Sequence, residues 1–109
     1  ALNNLDQQDA ADKVLVNVAT EQPGNPETWL RLAEFRLNVL EDPAGAISAL
    51  IPLLYQSPNN ERGNQLLAEA KEARVKELIA DAAERERRKL ERELRELERE
   101  LAAQGLVAP

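Results

Sequence analysis

Between Pro26 and about Leu40 the apolar residues fall at Trp29, Leu32, Ala33, Leu37 and Leu40. Steps of three and four residues place them on one helical face. Asn25 stands where an N-cap belongs, Pro26 suits the first turn, and Glu27 complements the helix dipole. Pro43 then disfavours helical geometry at Asp42, so "EDPAG" reads as a break. A second helix is predicted from about Pro43 to Tyr55, with Ala46, Ile47, Leu50, Leu53 and Leu54 inward. Pro52 lies inside it and removes one backbone donor, so a kink costing up to about 3 kcal/mol is expected there. "SPNN" at 57–60 closes that helix. Upstream, a helix is predicted from about Asp9 to Thr20. Downstream, Glu61 to Ala103 contains no Pro, and its one Gly, Gly63, stands near the start. The chain is therefore all-α.

The pattern repeats. Shifting the sequence so that Pro23 falls on Pro58 also places Leu2 on Leu37, Asn3 on Asn38, Leu5 on Leu40 and Ala11 on Ala46. Leu15 then meets Leu50, Asn25 meets Asn60, Leu32 meets Leu67, Ala33 meets Ala68 and Glu34 meets Glu69. The register fades near Arg74, because continuing it would place Leu50 on Arg85 and Pro58 on Glu93. A repeat of about 35 residues made of two helices is the signature of a stacked helical array.

Trp29, Leu32 and Ala33 occupy the W-x2-L-[GA] positions of such a unit, and Ala46, Leu50, Leu53 and Pro58 its later ones. Ala11, Leu15, Val18 and Pro23 match the second half of a preceding unit, and Leu67 and Ala68 the start of a following one. Over residues 1–74 the chain thus resembles the tetratricopeptide repeat family. It departs from the family at Arg36, where Tyr is usual, and at Asn64, where Trp is frequent. The resemblance implies helical hairpins stacked as a fragment of an α-solenoid, over a first domain of residues 1–74. In this register "ALNNLD" is the tail of a first helix, so the chain is expected to start part-way through a repeat, as a piece of a longer array would. The face of the helix near Asp9–Thr20 is then open.

Residues 75–109 form a second domain, an extended C-terminal helix and tail. With the preceding segment it predicts one helix of about 60 Å, with Gly105 as its stop. Leu66, Leu67, Ala70, Ala73, Leu78 and Ile79 are expected to cap the repeats. After "ERERRK", residues 84–89, come Leu90, Leu94, Leu97 and Leu101, spaced 4, 3 and 4. That is a heptad seam. Two heptads are too short for an independent coiled coil, so the open repeat end is a natural extra partner. The alternative is a stripe docked on the chain's own core. "KLERELRELEREL" also resembles the idealised Leu/Glu/Arg helices of computational design.

Composition narrows the chemistry. The 109 residues are 43% hydrophobic, 31% charged and 3% aromatic, so Leu, Val, Ile and Ala must build the core. Net charge is −6, which argues against nucleic acid as a partner. No run of about 18 apolar residues occurs, so a soluble chain that spans no membrane is expected. Its compartment is left open. Cys and His are both absent, which excludes disulfides, Cys/His zinc sites and His- or Cys-based catalysis. No calcium-loop spacing or glycine-rich phosphate loop occurs. Neither catalytic residues nor a cofactor or metal site is expected.

Two functions follow. The first is a non-enzymatic scaffold that self-associates, as a homodimer, through Leu90, Leu94, Leu97 and Leu101. The second is a peptide- or protein-binding adaptor. The family resemblance implies a concave groove lined by first helices, here Glu27, Leu30, Arg31, Glu34 and Asn38 with Arg62, Gln65 and Glu69. Their mixed charge is unlike the Lys/Asn/Arg clamp that some members use for carboxylate termini, and an ordinary solvated face would look the same.

Overall fold

A computed structural model describes residues 4–105, with side chains from residue 5. The described chain is all-helical: α1 (Asn4–Glu21), α2 (Pro26–Asn38), α3 (Pro43–Gln56) and α4 (Glu61–Ala103). It divides into two compact units, Ala1–Val75 and Lys76–Pro109.

Three helix starts use one device. The Asn25 side chain accepts from the Glu27 amide, Asp42 from the Gly45 amide, and Asn60 from the Gly63 amide. Each satisfies a donor that the first turn leaves without a partner. Between α2 and α3 the chain turns through Glu41, at φ 51°. The Asp42 amide there donates to the Arg36 carbonyl at 2.8 Å. α3 continues through Pro52 to Gln56. α4 ends at Ala103, and Gly105 adopts φ 73°, which glycine tolerates best.

In the first unit α2 packs on both α1 and α3. Arg36, late in α2, bonds Asp12 in α1 and the Gly45 carbonyl at the start of α3. The Gln56 amide, at the end of α3, donates to the Pro23 carbonyl ahead of α2 at 2.8 Å. α2 and α3 therefore run antiparallel. The Pro23 carbonyl also accepts from the Trp29 indole at 2.9 Å, so one loop oxygen ties α2 and α3 together.

Leu30, Leu32, Ala33, Ala49, Leu50, Leu53 and Leu66 form the core. Leu15, Val16, Trp29, Leu37, Leu54 and Leu67 close around it. Burying Leu32, Leu50, Leu53 or Leu66 contributes about 1.5–3 kcal/mol apiece. Ala33 and Ala46 are 0% and 1% exposed, so a larger side chain at either would have to displace its neighbours. A β-carbon on Gly63 would lie 2.9 Å from Leu53 Cδ2, so α4 also enters at close range.

Three expectations need correction. α1 begins at Asn4 rather than Asp9. Gln8 and Ala10 stand where the next register has Pro43 and Gly45, so nothing breaks the helix. Residues 4–6 thus belong to α1 and are not the tail of an earlier helix. Leu2 and Asn3 lie outside the described residues. Leu30, expected on an open groove, is only 7% exposed and belongs to the core. α2 has neighbours on more than one side, and one narrow stripe understates its buried surface. Leu78 and Ile79, expected to cap the repeats, are 47% and 63% exposed.

Candidate functional site: the leucine face of the last helix

The second unit is helical from Lys76 to Ala103. Leu, Glu, Arg, Lys and Ala dominate it, and all are strong helix formers. Helical geometry carries the heptad spacing of Leu90, Leu94, Leu97 and Leu101 onto one face. They are 54%, 56%, 56% and 45% exposed, whereas Leu66 earlier in the same helix is fully buried. Four half-covered leucines in a row are a large uncompensated apolar stripe for an otherwise charged helix.

Beside the stripe an ion-pair cluster braces the helix. The Arg87 guanidinium bonds Glu84 and Glu91, each at 2.6 Å, and Arg88 bonds Glu84 at 3.0 Å. These i,i+3 and i,i+4 pairs join one helical turn to the next. The hydrogen bond from Arg87, with Arg88 adding to it, holds the Glu84 carboxyl below the usual carboxylate range. The same partnership, Glu84 first, raises Arg87.

The residues expected to line a peptide groove are split among different settings. Arg62 Nε bonds Glu34 Oε1 at 3.0 Å, linking α4 to α2, and Arg62 Nη1 reaches Gln65 at 3.5 Å. Glu34 and Arg62 therefore satisfy one another. Glu27 and Arg31 instead border a cavity of about 440 Å³ with Leu15, Val18, Gln22, Asn25 and Thr28. Asn38 and Glu69 are exposed and Leu30 is in the core.

A second apolar surface escaped the sequence reading. Leu50, Leu54 and Leu67 form a hollow of about 330 Å³ with Ile47, Ile51 and Tyr55. Ile51 is 63% exposed and Tyr55 89%. The signal was present, since α3, "PAGAISALIPLLYQ", contains no charged residue. On α1, Val14 and Val18 are 60% and 38% exposed.

Among the described residues no three acidic side chains converge as metal ligands. No described helix is long and apolar enough to cross a membrane. No protein-family model matches the chain, and neither a curated protein nor a solved structure matches it.

Proposed function

We propose that the protein is a non-enzymatic helical-repeat scaffold that associates with polypeptide through the leucine face of α4. Self-association is the form of this activity that the chain can display alone. The observation that carries the reading is the exposure of Leu90, Leu94, Leu97 and Leu101 along one face of an unbroken helix. Burying the exposed half of four leucines contributes about 3–6 kcal/mol per helix. Association itself costs about 4–15 kcal/mol, so the stripe supports a moderate, reversible contact.

The tetratricopeptide reading supports the scaffold half of the proposal. Asn25 and Asn60, one repeat apart, both cap helices. Ala33 is fully buried while its counterpart Ala68 is exposed. That difference suits a last repeat whose second helix is missing. The groove reading has less support, because Leu30 is in the core and Glu34 and Arg62 pair with each other.

Sedimentation in about 1 M salt, where charges are screened beyond about 3 Å, tests the proposal. The native chain should show a mass that rises with concentration, and Leu94→Glu with Leu97→Glu should remain monomeric. A native chain that stays monomeric removes self-association through the leucine face, and an unchanged mass in the double variant removes that face as the contact between copies.

A further inference from the structure

The charges beside the leucine stripe are sorted by side. In the heptad frame set by Leu90, Leu94, Leu97 and Leu101, one flank carries Glu84, Glu91 and Glu98. The opposite flank carries Glu86, Glu93 and Glu100. Every position bordering the seam over these heptads is therefore acidic. The arginines Arg85, Arg92 and Arg99 lie on the far side, with Arg88 and Arg95 beside them. Charge in this segment is balanced in number and separated in space.

Flanking positions choose the partner of a heptad seam. If two copies paired in parallel, Glu86 would face Glu91 of the other copy and Glu93 would face Glu98. If they paired antiparallel, each flank would face itself. Both give glutamate against glutamate, and no shift of register changes that. Arg87 adds a further obstacle. It occupies the seam position one heptad before Leu94, so parallel pairing would bring two guanidiniums together and antiparallel pairing would set each against an apolar layer. It does offset part of one flank through Glu84 and Glu91. Among the described residues Glu86, Glu93, Glu98 and Glu100 hold no ion pair.

We infer that the preferred occupant of this face is an amphipathic helix of a different protein, with its apolar stripe bordered by Lys or Arg. Such a helix buries the same leucines and replaces like-charge opposition with attraction on both sides. A second copy competes only when the flanking charges are screened. This rests on the leucine face being a docking surface at all, and specifies its partner.

Two synthetic helical peptides of about three heptads, with Leu at the seam positions, test the inference by titration calorimetry on the full chain. One carries Lys at every flanking position and the other carries Glu. At about 0.1 M salt the Lys peptide should bind about tenfold to a hundredfold more tightly. Raising salt to about 1 M should shrink the difference to about threefold or less. The variant Glu86→Lys, Glu93→Lys, Glu100→Lys keeps the leucines and should lose the preference or reverse it. Equal affinity for both peptides at low salt would overturn the inference. So would a native chain that dimerises at low salt as tightly as it binds the Lys peptide. In both cases the docking surface itself would stand. Failure of both peptides to bind, in a chain that also stays monomeric at high salt, would instead remove the leucine face as a contact of any kind.

Discussion

Arg36 and Asp12 face each other across α1 and α2, Nε to Oδ1 at 2.9 Å and Nη2 to Oδ2 at 3.3 Å. Both side chains are about four-fifths covered, at 20% and 19% exposure. Arg36 also donates to the Gly45 carbonyl at 3.1 Å, so a single guanidinium joins three helices. Its planar fork suits this better than an ammonium would. Asp12→Ala should destabilise the first unit by about 1–3 kcal/mol, since it leaves a largely covered guanidinium short of its anion. Arg36→Lys should recover only part of the native stability. Urea melts of these two variants, of Arg36→Ala and of Asp12→Ala/Arg36→Ala check this. Strictly additive losses would mean that the pair is not coupled.

Ala46 is 1% exposed where α3 begins to pack on its neighbours. Ala46→Leu should cost about 1–3 kcal/mol through overpacking. A thermal melt unchanged from the native chain would contradict this close approach.

Glu41 is the only non-glycine residue with positive φ among those described. A left-handed residue with a β-carbon costs about 1–2 kcal/mol, partly offset in glycine by its greater freedom when unfolded. Glu41→Gly should therefore stabilise by about 0.5–1 kcal/mol. A lower melting temperature in the variant would show that the Glu41 side chain contributes more than its backbone costs.

Glu84 links the ion cluster to acid sensitivity. Its carboxyl lies below its ordinary range because Arg87 and then Arg88 favour the charged form. A group lowered in the folded helix adds stability at pH above its unfolded value and loses it as pH falls through the folded one. Carboxyl NMR should show Glu84 titrating at a higher pH in Arg87→Ala than in the native chain. An unmoved midpoint would mean that Arg87 does not hold the carboxylate in solution.

Much of the helical layout could be read from the sequence, because its punctuation is chemically explicit. Asn25 before Pro26 and Asp42 before Pro43 mark starts that the caps realise, and the uninterrupted run after Glu61 is one helix. The repeat register misplaces the start of α1 because Gln8 and Ala10 carry no breaker where the next unit has Pro43 and Gly45. Burial of Leu30 was missed because a periodic stripe gives direction but not the number of neighbours. In the sequence Arg36 stands out only as a departure from a family pattern. Its role depends on Asp12, 24 residues away, and no spacing rule links the two. The leucine spacing was visible from the start, but its exposure was not, since heptads look alike whether covered or open.

Leu90, Leu94, Leu97 and Leu101 are exposed along one helix face and should become covered on association. The chain has no cysteine, so single thiols placed at Leu97→Cys and Arg95→Cys report one face each. Thiol labelling followed against protein concentration, in about 1 M salt, reads the cover directly. The expected result is rapid labelling at both sites when dilute, and slowing at Leu97→Cys alone as concentration rises. Slow labelling at Leu97→Cys at every dilution would show that the chain covers its own leucines, and equal rates at both sites throughout would show that nothing covers them.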